Sequence, residues 1–319
     1  MSSKSHITAF VMITALTLAL TACGSGDPAA TGAGAAPAGQ GSGGAGQGEI
    51  PTTDVVSAVA KDEAVAKLLP ADVRERGSLK VASSVGNPPG AAYLPDGRTL
   101  AGQDVDFAEA VARVLGLELD REVASFEAIL PALGSGKYDV GTGNFGVTDE
   151  RRRTIDFVTY INDGQGFAAL EDSELTKVSS FEDLCGLKVA TGAGTTFEAS
   201  LEKNRSVCPK AAKKAYEVQT YAESGALWIS LRQGRSDVVM STINGLRYAV
   251  AQQPGTKFLN EFKRLDVGFA FKKGTPLAPA FEAAVNKLKK DGTYDRILQK
   301  WGTAESAIER SRISPPEIR

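Results

Sequence analysis

The residues best placed to do chemistry sit in the run Gly141-Thr142-Gly143-Asn144-Phe145-Gly146-Val147-Thr148-Asp149-Glu150-Arg151-Arg152-Arg153. Tyr138-Asp139-Val140 reads as a strand leaving a core, and the glycines after it let backbone approach a ligand closely. Thr148-Asp149-Glu150 has the form of a helix start, with Thr148 as N-cap and acidic residues in the first turn. A guanidinium at that point, Arg151, beside bare amides offers a carboxylate two parallel charge-assisted bonds. The bland alternative is an exposed arginine cluster, since Arg152 and Arg153 follow directly.

Composition removes several classes of function. The one histidine of the 319-residue chain is His6, inside a leader-like segment, so a mature chain would lack the base of a Ser/His/Asp or Cys/His mechanism. A net charge of -2 leaves no nucleic-acid footprint. No cofactor motif stands out.

The elements that must position these residues come next. Lys4 and the apolar run Ile7 to Leu20 have the form of a signal-peptide core, at about 14 residues too short to span a bilayer comfortably. Leu20-Thr21-Ala22-Cys23 resembles a bacterial lipobox, which makes residues 1-22 a lipoprotein signal peptide and Cys23 the acylated first residue. Residues 23-49, nearly all Gly, Ala, Ser, Pro and Gln, read as a disordered tether. Val55, Val56, Val59, Val65, Leu68 and Leu69 recur at helical spacing and predict an amphipathic helix in residues 50-76 that ends near Leu69-Pro70. With Cys23 acylated, Cys185 and Cys208 remain as a pair in an exported chain, and a disulfide is expected.

The order Gly102-x-Asp104-x-Asp106, Ile129-Leu130-Pro131-Ala132-Leu133, Gly136-Lys137-Tyr138-Asp139, Thr148-x-x-Arg151, Asp156-Phe157 and Lys300-Trp301-Gly302 resembles the extracytoplasmic solute-binding proteins of ABC importers, family 3, the polar amino-acid-binding type. The likeness covers roughly 230 residues and implies a two-lobed α/β periplasmic-binding-protein fold of type II. Lobe 1 would span 75-166 plus 268-303, lobe 2 would span 167-267, two hinge strands would join them around a central cleft, and 304-319 would form a loosely held tail. The implied function is capture of a small carboxylate-bearing solute, an amino acid or related compound, and its delivery to permease subunits. The implied chain is a lipid-anchored monomer on the outer face of the cytoplasmic membrane that uses no cofactor and is not an enzyme. A dehydratase-like enzyme of the same fold or a lipid-anchored sensor is the alternative.

The resemblance also assigns roles. Arg151 from one lobe and Thr195 and Thr196 from the other match the contacts to a ligand carboxylate, although Thr195 also has N-cap spacing to Glu198. Asn144 and Gly146 line the approach. Phe126 either stacks on the ligand or packs in the core, and Asp104 and Asp106 read as helix caps with a smaller prospect of a ligand contact. Departures matter as much. Asn87 and Gly90 stand where aromatics usually cover the ligand, with Tyr93 a possible replacement. Gly146 replaces the usual Ser or Thr contact to the ligand amine, and Thr242, followed by Asn244, replaces the usual Asp. Either Asp163 supplies the missing negative charge or the ligand has no ordinary α-ammonium.

Overall fold

A computed structural model describes residues 50–86 and 88–318. The leader, Cys23, the tether and Asn87 lie outside the described residues. Strands are β1 (Ser78–Ser83), β2 (Ala92–Tyr93), β3 (Leu100–Ala101), β4 (Glu118–Val123), β5 (Val140–Gly146), β6 (Ile155–Leu170), β7 (Lys188–Gly192), β8 (Glu217–Tyr221), β9 (Val238–Thr242) and β10 (Thr256–Lys272). Helices are α1 (Glu63–Ala66), α2 (Ala71–Arg76), α3 (Gln103–Leu115), α4 (Phe126–Ser135), α5 (Thr196–Lys203), α6 (Val207–Lys210), α7 (Ser224–Arg232), α8 (Ile243–Gln252), α9 (Ala278–Lys290) and α10 (Thr293–Lys300).

Apart from the β2–β3 ladder, the strands form one sheet in the order β4-β1-β5-β10-β6-β9-β7-β8. β4, β1 and β5 are parallel at one end, β9, β7 and β8 parallel at the other, and the antiparallel pair β6–β10 runs between them. That pair runs from Thr256 opposite Leu170 to Lys272 opposite Ile155, with register shifts at Phe258/Asn260, Glu261/Lys263 and Val267/Gly268. The two expected hinge strands are thus parts of two long strands shared by both halves. β5 joins β10 at Val267 and Gly268, whereas β9 joins β6 from Gln165 to Ala168, so the crossing falls around residues 163–166 and 261–266. At that crossing a Cβ on Gly164 would lie 2.1 Å from the Lys263 carbonyl oxygen, and only glycine fits.

Each half carries its own apolar packing on both faces of the sheet. In the first, α3 buries Val105, Ala108, Val111, Ala112 and Leu115 on one side and Phe107, Ala110 and Val114 on another, so it is buried nearly all round. Phe107 packs between the Tyr160 and Tyr294 rings at 5.2 Å from each. Trp301 is buried, and its indole N–H donates to Asp106 at 2.7 Å. In the second half, Phe167, Val189, Leu201 and Met240 pack on one face, and Leu227, Trp228, Leu231 and Leu246 on the other. Cys185 and Cys208 are disulfide-bonded with Cα atoms 5.6 Å apart, as the cysteine count predicts.

Three expectations change. The helix expected in residues 50-76 is two short helices after an irregular lead. Asp54 takes the Val56 and Ser57 N–H groups into a turn, Asp62 caps α1, and Pro70 separates α1 from α2. Its packing on the first half does hold, through Val56, Leu69 and Val73. Asp104 and Asp106 are not caps, because α3 starts at Gly102 with no side-chain cap. A Cβ there would lie 2.0 Å from the Gly90 carbonyl oxygen, and this close approach explains the glycine. Finally, the 304-319 tail is held rather than loose. Ser311 Oγ donates to the Thr159 carbonyl, Ser314 N–H donates to the Phe157 carbonyl, and Arg312 and Lys263 pair with Asp266 and Glu317.

Candidate functional site

Between the halves, at the carboxyl ends of the parallel strands, lies a cavity of about 180 Å³. Such crevices are where open α/β sheets bind ligands. Its lining includes Phe126, Asn144, Gly146 and Arg151 from the first half and Thr195, Thr196 and Thr242 from the second, with Asn244 at the seam. Tyr93 is exposed on β2 and does not line it, so it does not replace the missing aromatics. Sequence reading missed the wall that does supply apolar surface, Leu227 and Trp228 on α7. Their helical spacing was visible, but a core-facing and a cleft-facing stripe look alike in sequence.

Arg151 sits in a single 3-10 turn, Arg151–Arg153, rather than at the start of an α-helix; Thr148 still takes the Arg151 N–H on its hydroxyl at 3.2 Å. The half-buried guanidinium donates to the Gly146 carbonyl at 3.2 Å and across the cleft to the Gly194 carbonyl at 3.1 Å. It lies over the Phe126 ring, 5.7 Å from its centre. Phe126 itself stacks on Phe145 at 4.8 Å, so the cavity wall and the core share this ring. Among the described residues no carboxylate stands within ion-pairing distance of Arg151. Burial draws its pKa down to about 10, with Glu150 opposing. Carbonyl oxygens alone leave a guanidinium electrostatically unfinished, which is the condition for binding an anion.

Facing it, Thr195 caps α5. Its hydroxyl donates to the Gly192 carbonyl at 2.7 Å and accepts the Glu198 N–H at 3.2 Å, so the capping role is real and uses the side chain. Thr196 stands free of that duty in the first turn, and its methyl would be 3.5 Å from a Cβ on Gly146. A Cβ on Gly194 would lie 2.7 Å from Glu127 Cβ, and one on Gly86 would lie 3.1 Å from Ser224 Oγ. The two walls therefore touch on both sides of the cavity.

The seam holds two buried carboxylates. Asp104 accepts from the Tyr160 hydroxyl at 2.7 Å, and burial raises its pKa to about 6, against the hydrogen bonds of Tyr160 and the Asn144 N–H. Asp163 is also raised by burial and accepts from Asn144 Nδ2 at 2.9 Å and from the Asn244 N–H at 3.2 Å. Asn144 reaches both because it adopts φ +55°, a conformation asparagine tolerates. Asn244 lines the cavity, its side-chain amide donates to Ser306 Oγ at 2.8 Å, and its backbone N–H donates to Asp163. Thr242 caps α8 by accepting the Gly245 N–H. Among the described residues no cluster of three or more His, Cys, Asp or Glu side chains is placed to hold a metal ion.

Comparisons with known proteins agree with this geometry. The arginine-binding protein ArgT of Corynebacterium glutamicum is 28% identical over 250 residues, covering 77% of this chain and 81% of ArgT. The L-cystine-binding protein TcyJ of Escherichia coli K12 is 30% identical over 237 residues, covering 73% of this chain and 85% of TcyJ. Among solved structures, the ancestral amino acid-binding protein AncCDT-1, a precursor of cyclohexadienyl dehydratase, superposes with a TM-score of 0.64 at 29% identity, covering 72% of this chain and 97% of that one. Residues 79–304 match the family of bacterial extracellular solute-binding proteins, family 3, and the chain belongs to that family.

Proposed function

We propose that the chain is the solute receptor of an ABC importer, and that it captures an amino acid or related carboxylate between its halves for a membrane permease. The observation that carries the binding site is Arg151, a guanidinium in the cleft that has carbonyl partners from both halves and no carboxylate among the described residues. In this reading the ligand carboxylate takes the Arg151 fork from one side and Thr196, with the first-turn amides of α5 that Thr195 caps, from the other. Contacts from both walls exist together only when the walls meet, so the ligand favours the closed form by its differential affinity, and the closed form is what the permease meets. Support comes from relatives named for arginine and cystine binding. Cys23, as a lipidated first residue, would tether this monomeric receptor to the outer face of the cytoplasmic membrane.

Titration calorimetry of the full-length chain against the proteinogenic amino acids tests the site. A charge-assisted bond is worth about 1.5–3 kcal/mol. Arg151→Ala is therefore expected to weaken the tightest ligand by about tenfold or more, and Arg151→Lys by less, since it keeps the charge and loses the fork. An unchanged affinity in Arg151→Ala would remove the site. Ligand recovered after incubation should be chemically intact; a dehydrated product would put the same-fold enzyme in the receptor's place.

A further inference from the structure

We propose that Asp104 receives the ligand's ammonium group and that the cleft thereby selects an α-amino acid with an uncharged side chain. This rests on the carboxylate site read above at Arg151. It answers where the amine goes once the usual acidic and hydroxyl contacts have become Thr242 and Gly146.

The first ground is the charge of the wall. Among the described residues lining the cavity, Arg151 is the only cation and Asp104 the only carboxylate. The second is placement. The Asn144 backbone amide lies close enough to Asp104 to lower its pKa, and the Gly146 carbonyl accepts from Arg151, so both charges sit beside residues two apart at the end of β5. A carboxylate and an amine borne on one carbon need their partners side by side in this way. Third, the other buried acid is already occupied: Asp163 does not line the cavity, and its two oxygens are taken by Asn144 and Asn244. Asp104 does line the cavity, the Tyr160 hydroxyl donates to one of its oxygens, and among the described residues no cation is in contact with it.

The remaining wall is uncharged. Val85, Phe126, Leu227 and Trp228 supply apolar surface, and Ser224 and Thr242 supply hydroxyls. A zwitterion is charge-balanced by Arg151 and Asp104 alone. A third charge on the ligand side chain would be desolvated with nothing of opposite sign to meet it. The arginine of the ArgT relative is such a ligand.

The test is calorimetry on the full-length chain with leucine, methionine, glutamine, arginine and glutamate, and with the N-acetyl form of whichever binds tightest. One of the three neutral amino acids is expected to bind at least tenfold tighter than arginine and glutamate, and N-acetylation to cost at least tenfold. Asp104→Asn should bring the free amino acid close to its N-acetyl form while changing the N-acetyl affinity less than twofold, a split that a merely structural role would not produce. If that variant fails to fold, the N-acetyl comparison on the unaltered chain still decides. Arginine or glutamate as the tightest ligand, or an N-acetyl form that binds equally well, overturns the inference. If arginine binds tightest and Arg151→Ala weakens it, the receptor reading stands and the Asp104 assignment alone falls; if no amino acid binds, both fall.

Discussion

The two halves of the molecule are built on the same plan and stabilised differently. The first closes over a large aromatic core in which Phe107, Tyr160, Phe269, Phe281 and Tyr294 interlock, and it has no covalent staple. The second has smaller clusters on each face of three short parallel strands, and it carries the Cys185–Cys208 bridge under one of them. A small core buries less apolar surface per residue ordered, so a cross-link contributes most there. The cleft inherits the same asymmetry. The first wall offers the charged and tightly bonded groups, Arg151, Asp104 and Asn144, while the second offers a capped helix end and apolar surface.

The strongest way to break that comparison is Phe107→Ala, expected to cost about 3–5 kcal/mol because its neighbours on both sides are rigid rings. Chemical denaturation would measure it, and a loss below about 1 kcal/mol would mean the aromatic core is not what holds the first half. Next in size, replacing both Cys185 and Cys208 by serine opens a loop of 23 residues and should cost about 3 kcal/mol. Hydrogen exchange should localise that loss to β7, β8 and α5 and leave α3 protected; a uniform loss would contradict independent support of the two halves.

The seam between the halves gives a pH signature. Asp104 titrates near 6 in the folded chain against an ordinary 3.8, so the folded form binds the proton more tightly. The contribution of Asp104 to stability is then full below about pH 4 and is lost as pH rises through 6, by on the order of 2–3 kcal/mol. Asp163, raised in the same direction, adds to it. Thermal unfolding of the ligand-free chain between pH 4 and 7 should show the unaltered chain losing stability relative to Asp104→Asn as pH rises; parallel pH profiles for the two would refute the burial argument. The smallest effect is expected from Ser306→Ala, which leaves the buried Asn244 amide without its acceptor and should cost about 1 kcal/mol. Recovery in an Asn244→Leu, Ser306→Ala double variant would confirm that the orphaned amide is the cause, and an equal loss there would refute it.

Much of this was legible in the sequence because it is local. The fold class followed from ordered motifs, Arg151 from its place after Thr148, the Thr195 cap from its spacing to Glu198, and the disulfide from a cysteine count. What was hidden depends on register between distant segments. Asn144 in the left-handed region, bridging two acids, cannot be seen from β5 alone. Nor can the turning of Asn244 toward Ser306, some sixty residues on, or the docking of residues 311–314 along β6. The N-terminal pattern misled for the opposite reason: hydrophobic spacing suited a helix, but Asp54 and Pro70 imposed a turn and a break.

The docked tail has a practical consequence. Its residues touch α8 through Ser306, the crossing strands through Arg312 and Glu317, and the Arg151 turn through the contact of Glu317 with the Asp149 N–H. A fluorophore placed within residues 311–317 would thus be coupled to the Arg151 turn and the crossing strands, which makes this segment a site for a reporter of ligand capture.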